Sequence, residues 1–417
     1  MSKLSIELYG VTLGTLEQRN RTLVFEVDHH VFEHYPVAST IMSLAVPLNL
    51  HYSAPQRNRY ENYFNELLPE GNNLRWLLQY VPHNEQNTYG LLRKYGGDSA
   101  GALIIYDKED PVSLEKPKAE KVDAQQIRHL LKRMPQEPLG NSPISGKTSL
   151  GGVQGKILLA KKDGCWHRVH YGFASTHILK PVVAEIPTMI YDEAFCMQLA
   201  MKVGLTTHEV WIETFDGADA LVIERYDRDS NLSGGRIHQE DFNQALGASG
   251  NQKYQEAGGR VSAKRIAQTL ERFGCEEDVF AFASQMVFAV AIGNLDMHAK
   301  NISILHYPDA LIKLAPTYDQ VPLRHQQTDG RLALSIGGEY VHANLTREHI
   351  AAELLAWKSK GFYNESIVNA FIDDCLESYR DALDKVALSS KAYPRLRETI
   401  ASFIAYLLSG KPAGKLC

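Results

Sequence analysis

The chain has 417 residues, 44% of them hydrophobic and 22% charged, with a formal net charge of −5. That length predicts about two or three domains, and the mild acidity excludes a protein that holds nucleic acid or anionic membrane by bulk charge. No apolar run reaches the roughly 18–20 residues that span a bilayer, and no signal-type segment opens the chain, so a cytoplasmic protein without a membrane role is expected.

Residues 4–9 alternate apolar and polar and stop at Gly10; residues 22–27 are β-branched and aromatic. Together they predict a small antiparallel sheet. Residues 60–68 put Tyr63, Phe64, Leu67 and Leu68 on one helical face and stop at Pro69-Glu70-Gly71; residues 74–80 predict another helix. Gly96-Gly97 precedes a strand at 103–106 and marks a tight turn or an anion cradle. Residues 108–123 are rich in Lys, Glu and Asp, with Pro111 and Pro117, and read as a solvated linker. The expected division is therefore an N-terminal subdomain at 1–107, the linker, then units at 124–228 and 229–417. Asp123 is placed to cap a helix through residue 134. The five cysteines, Cys165, Cys196, Cys275, Cys375 and Cys417, include no Cys-x-x-Cys pair, which argues against a zinc site or disulfide framework.

Next comes Ser145-Gly-Lys-Thr-Ser-Leu-Gly-Gly-Val-Gln-Gly-Lys156, then an apolar strand at 157–160. Gly151, Gly152 and Gly155 let backbone amides approach a phosphate, and Lys156 adds a point charge. A Walker A reading fails: Asn141 stands where glycine is needed, and Ile157 follows Gly155-Lys156. A Gly-rich loop that opens into a strand is the arrangement of a kinase phosphate lid; a flexible hairpin loop fits the same residues. Lys180 ends an apolar strand before Pro181, one hairpin later, where kinases keep the lysine that meets α- and β-phosphates. Residues 189–203 have helical spacing, and Glu193 in the first turns is a candidate partner for Lys180. A solvated strand end and a surface glutamate near a helix N-terminus are the plainer alternatives.

Strands at 211–214 and 220–224 pair across Asp216-Gly217, and the second runs into Arg225-Tyr226-Asp227-Arg228. Residues 238–246 predict a helix, Lys253-Tyr254 belongs to a polar loop, and 262–273 is amphipathic and helical. The apolar run 279–292 predicts a buried helix that opens into Gly293-Asn-Leu-Asp-Met-His-Ala-Lys-Asn301. Asp296 and Asn301 have the Asp-x-x-x-x-Asn spacing of a kinase catalytic loop, in which the Asp orients the substrate hydroxyl and the Asn holds a metal ion. Asp319 is a second candidate metal ligand. Ordinary turn residues explain Asn294 and Asp296 equally. Helices at 347–358, 365–385 and 395–408 complete an α+β chain.

Taken together, Ser149-x-Gly-Gly-Val-Gln-Gly-Lys156, His177-Ile-Leu-Lys180, Glu224-Arg-Tyr-Asp-Arg228, His238-Gln-Glu-Asp-Phe242, the 293–301 loop and Ala315-Pro-x-Tyr-Asp319 resemble the HipA-like serine/threonine kinases. Those proteins are toxins of bacterial type II toxin–antitoxin pairs. Phe64-x-x-Leu-Leu-Pro-Glu-Gly71 and Gly97-Asp-x-x-Gly-Ala-Leu103 are similar to that family's N-terminal subdomain.

The resemblance implies a two-lobed protein-kinase-like fold, with an extra N-terminal subdomain and an α-helical C-lobe. It places ATP among Gly151, Gly152, Val153, Gln154, Gly155, Lys156, Lys180 and a hinge of Glu224, Arg225 and Tyr226. Asp296 becomes the catalytic carboxylate, Asn301 and Asp319 the Mg²⁺ ligands, and Glu193 the ion-pair partner of Lys180. His298 and Lys300 are expected beside the phosphates. Ser149 is the position that the family autophosphorylates to switch itself off, with Thr148 adjacent; a turn-capping hydroxyl is the alternative. The implied substrates are proteins, aminoacyl-tRNA synthetases among them. The implied partner is a helix-turn-helix antitoxin that carries most contact with operator DNA. A small-molecule kinase and a nucleotide-binding co-repressor with little catalysis are the competing readings.

Overall fold

The computed structural model describes residues 2–20 and 22–414. Its N-terminal part is an antiparallel sheet ordered β3-β2-β1-β4, from β1 (Leu4–Leu8), β2 (Val11–Arg19), β3 (Thr22–Val27) and β4 (Ile104–Asp107). Helices α1 (Ala54–Glu66), α2 (Gly71–Leu78) and α3 (Thr88–Tyr95) separate β3 from β4. Strand alternation buries Leu4, Ile6 and Leu8 against Phe25, Tyr60, Tyr63 and Phe64. A capping box at Ser53 starts α1, which is longer than the apolar face 60–68 suggests.

A second antiparallel sheet is ordered β5-β7-β6-β8-β10-β9. It comprises β5 (Lys118–Lys121), β6 (Ile157–Lys162), β7 (Cys165–His170), β8 (His177–Pro181), β9 (Val210–Phe215) and β10 (Ala218–Glu224), with α4 (Ala124–Lys132) and α5 (Met189–Lys202). The stretch expected as a solvated linker thus supplies an edge strand, with Lys118 opposite His170. Its charge is that of an exposed edge, which blunts further strand pairing.

The last part is not purely helical. It holds a sheet ordered β11-β12-β13, from β11 (His238–Asp241), β12 (Ser303–His306) and β13 (Ile312–Leu314), and a pair formed by β14 (Arg331–Ile336) and β15 (Glu339–Val341). Around them stand α6 (Phe242–Ala245), α7 (Ala263–Phe273), α8 (Glu276–Ile292), α9 (Arg347–Ala356), α10 (Glu365–Leu383) and α11 (Leu396–Leu408). The stretch 238–246 is half strand. His238 and Glu240 alternate into the interior, and the Asp241 side chain accepts the Gln244 amide to cap the short α6. Both buried side chains reach the N-terminal part: His238 Nε2 lies 2.8 Å from the Met42 carbonyl, and Glu240 Oε1 accepts the Leu44 amide at 2.8 Å.

Helix α8 aims the catalytic-loop candidate. Glu276, Glu277 and Asp278 in its first turn favour the positive end of the helix dipole. Phe282, Val287, Phe288 and Ile292 are buried, each worth about 1.5–3 kcal/mol. Gly293 ends it at φ 72°, a left-handed cap that suits glycine, and the chain turns out of the core into Asn294-Leu295-Asp296. Among the described residues no helix is long and apolar enough to cross a membrane.

Candidate active site

Lys180 lies in β8 between β6 and β10, so its stem is held on both sides of the strand. Its ammonium sits 2.7 Å from Glu193 of α5 and 2.6 Å from Asp319. Burial disfavours the charge, yet Asp319 and Glu193 outweigh it and hold the ammonium above its ordinary range. Burial raises Glu193, against the pull of Lys180; Asp319 is lowered, because Lys180 and Lys156 overcome its burial. Glu193 Oε2 is buried and has no hydrogen-bond partner. Asp319 adopts a left-handed φ of 54°, a conformation that aspartate tolerates better than most residues.

The Gly-rich loop is polarised. The Gly151 carbonyl accepts Lys156 Nζ at 2.8 Å. The carbonyls of Gly152, Val153 and Gln154 face the Asn73 carboxamide at 3.4, 3.4 and 3.1 Å. Among the described residues no hydrogen bond uses the backbone amides from Gly151 to Gly155. A loop with its carbonyls taken and its amides free has donors to offer an anion. Gly152 has φ 96°, a left-handed conformation that favours glycine. Burial, then the nearby Lys180, brings Lys156 down to about 8.

Asn294 Oδ1 accepts the Asp296 amide at 2.9 Å, and Asn301 Nδ2 donates to the Asp296 carbonyl at 2.8 Å. The two asparagines therefore fix the loop backbone. The Asp296 carboxyl opens to the cleft; its partial burial, then the charge of Asp319, raises it to about 6. His298 is buried against Tyr254, with Nε2 3.9 Å from Asp296 and Nδ1 unpartnered. Burial lowers it to about 4, so it is neutral at pH 7.

The structure thus brings Lys156, Lys180, Glu193, Asp296, His298, Asn301 and Asp319 to one cleft beneath the loop 151–155. Two expected residues have side chains committed to other partners. The Arg225 guanidinium is buried: it bonds Asp227 at 2.9 and 2.7 Å and Ser175 and Ser99 at 2.9 Å. The Lys300 ammonium is tied to Glu66 at 2.7 Å and Glu70 at 2.8 Å. Glu224 is exposed at the end of β10, and the Tyr226 ring stacks on Tyr318 at 5.3 Å. Ser149 is fully buried, its hydroxyl donating to the Leu67 carbonyl at 3.0 Å.

Residue-by-residue reading missed Glu66, Glu70, Asn73, Lys253 and Tyr254. Glu70 accepts Lys253 at 2.7 Å, and Tyr254 OH lies 3.5 Å from Asp296 Oδ1. Burial works against the Glu70 charge, but Lys300 and Lys253 prevail and bring it down to about 2. The signal was the Leu67-Leu-Pro-Glu-Gly71 motif, whose partners lie far along the chain.

A strand lysine paired with a helix glutamate, under a Gly-rich loop and facing an Asp-x-x-x-x-Asn loop, defines a two-lobed enzyme of the protein-kinase-like class. The chain belongs to the HipA family: the HipA N-terminal domain matches residues 4–106 and the HipA-like C-terminal domain residues 148–383. A putative kinase of Sinorhizobium fredii is 33% identical over 311 residues, 72% of this chain and 72% of that protein. The serine/threonine-protein kinase toxin HipA of Shewanella oneidensis is 26% identical over 368 residues, 84% of this chain and 82% of that protein. A solved Shewanella oneidensis complex of HipA, HipB and operator DNA contains a chain with the same fold. The TM-score is 0.77 at 22% identity, over 97% of this chain and 96% of that one.

Proposed function

We propose that this chain is an ATP- and magnesium-dependent protein serine/threonine kinase and the toxin half of a toxin–antitoxin pair. The observation that carries the reading is the Lys180 ammonium held between Glu193 and Asp319 beside a loop of free amides. Phosphoryl transfer asks a protein for positioning and charge stabilisation more than for covalent chemistry. Lys180 and the amides of 151–155 would hold phosphate oxygens, and Lys156 would exchange the Gly151 carbonyl for one. Asp296, ionised at neutral pH, would orient the attacking hydroxyl and take its proton. Neutral His298 would pack behind it.

The residues also fit magnesium. Among the described residues no group of three or more His, Cys, Asp or Glu side chains forms a metal cage. Magnesium is commonly held by one or two carboxylates, with phosphates and water completing its shell. Asp319 keeps an oxygen beyond its bond to Lys180, and Asn301 keeps its amide oxygen. When bound, the ion would neutralise charge developing between the β- and γ-phosphates.

The target would be a cytosolic protein, aminoacyl-tRNA synthetases being one class to test. A helix-turn-helix antitoxin would carry operator DNA contact; the HipB- and DNA-bound Shewanella relative supports that partner. Ser149 would be the autophosphorylated off-switch. Intact-mass measurement and phosphopeptide mapping after incubation with ATP and Mg²⁺, beside Asp296→Ala, test the reading. Phosphate on Ser149 of the wild type alone is the expected result. ATP binding without transfer, either to itself or to lysate proteins, would leave a co-repressor; transfer only to small hydroxyl compounds would leave a small-molecule kinase.

A further inference from the structure

The segment from Glu66 to Asn73 joins α1 to α2 in the N-terminal subdomain, yet its contacts fall on both sides of the cleft. On the nucleotide side, the Leu67 carbonyl accepts the Ser149 hydroxyl, and the Glu70 amide donates to the Gly152 carbonyl at 3.4 Å. Asn73, 1% exposed, turns its carboxamide nitrogen to the carbonyls of Gly152, Val153 and Gln154. Gly71 closes the contact: a Cβ built there would lie 3.1 Å from Val153 Cγ1. On the catalytic side, Glu66 accepts Lys300 and the Gly250 amide, each at 2.7 Å. Glu70 accepts Lys253, whose neighbour Tyr254 reaches Asp296.

An amide nitrogen has only hydrogens to give. By drawing successive loop carbonyls to itself, Asn73 leaves the amides of 151–155 unpaired for an anion. Building on the kinase reading, we infer that Asn73 and Glu70 are positioning residues for phosphoryl transfer. Asn73 sets the Gly-rich loop in its anion-accepting conformation. Glu70 holds Lys253 and Lys300, and through them the loops around Asp296. The N-terminal subdomain is then a working wall of the active site.

The two residues predict separable defects. Loss of the Asn73 hydrogen bonds should raise KM for ATP about tenfold, with a smaller change in kcat. Glu70→Gln, which retains shape but removes the charge that pairs with Lys253 and Lys300, should lower kcat and leave KM for ATP nearly unchanged. Both would be measured on the full chain, with thermal melting as the folding control. Protease cleavage within residues 150–156 should speed up in Asn73→Ala and not in Glu70→Gln; a merely structural loss would open α1 and α2 to cleavage equally. If Asn73→Ala does not fold, Asn73→Ser, which retains one donor, should show a partial form of the same defect. Unchanged loop cleavage and unchanged ATP affinity in a folded Asn73 variant would overturn the inference. The cleavage and binding arms need no turnover. A wild type that binds ATP without transferring phosphate, while Asn73→Ala still loosens the loop, would sink the kinase reading and support the Asn73 assignment.

Discussion

The cleft and a second charge cluster, centred on Asp98, both bury carboxylates among cations, and they differ in completeness. In the second cluster Arg225 grips Asp227, Arg228 donates to Asp98 at 2.8 Å, and Arg236 reaches the Gly172 carbonyl at 2.8 Å. Asp98 and Asp227 also accept the amides of Ser175 at 3.1 Å and Gly101 at 2.7 Å. Of these side chains only Arg236 Nε is left without a partner. The cleft leaves Glu193 Oε2, His298 Nδ1 and a run of backbone amides unpaired. Buried polar groups are normally satisfied, so a completed network indicates architecture and an incomplete one a place for a ligand.

Crossed substitutions break this comparison most directly. Asp296→Asn should cost about 10²–10⁴-fold in phosphoryl transfer, the span of general-base catalysis, without lowering the melting temperature. Asp98→Asn should do the reverse. It strands the charges of Arg228 and its neighbours, which costs about 3–5 kcal/mol of stability in a denaturant titration. KM for ATP should stay unchanged wherever the protein is folded. An Asp98 variant as stable as wild type would show that the cluster is not the architectural one.

Acid sharpens the contrast, because the two sites hold carboxyls shifted in opposite directions. Asp296 is raised by burial and by Asp319; in Asp227, Arg225 and Arg228 overcome burial and lower it. A raised carboxyl costs stability once pH climbs from the ordinary carboxylate value through about 6, and the full cost is present above that. A lowered one adds stability that is lost only as pH falls below the ordinary range. Transfer should therefore fall about tenfold per unit below pH 6, with no loss of melting temperature from either group down to pH 5. Asp296→Asn should melt higher than wild type at pH 7.5 and level with it near pH 4. A flat rate profile to pH 5 would remove Asp296 as the proton acceptor.

The cleft was more legible in the sequence than the Asp98 cluster, for a physical reason. Asp296 and Asn301, Gly151 to Lys156, and the Lys180 strand are local signatures, because each chemistry needs its residues within one loop or turn. Arg225 looked like a hinge residue for the same reason: it follows a strand in the right order. Its side chain pairs locally with Asp227, but its partner Ser99 lies 126 residues away and becomes visible only when the N-terminal part folds back. Lys300 is the same case, since its partner Glu66 lies 234 residues upstream. The short strands β11 to β15 were missed because three to six residues carry little periodicity, and in 238–241 a cap at Asp241 made a strand look like the start of a helix.

The smallest expected effect falls where the two regions meet. Thr148 bridges Asp98, and the Ser149 amide donates to the Asp98 carbonyl at 2.9 Å, so the completed network ends one residue before the free loop begins. Ser149→Ala removes one hydrogen bond to Leu67 and should cost only about 1 kcal/mol. It leaves the cleft intact, so transfer to other proteins should persist while phosphate at this position disappears. Ser149→Asp is the opposite case. Its carboxylate would enter a seat with no exposure, where the Leu67 carbonyl is an acceptor and no cation is bonded, and a buried unpaired charge is not retained there. The loop should leave, seen as protease cleavage within 150–156 and lost ATP binding, while the Asp98 cluster holds the rest of the fold. A Ser149→Asp protein that resists cleavage and binds ATP like wild type would mean that the seat accommodates charge, and the boundary between the finished and unfinished networks would have to be drawn elsewhere.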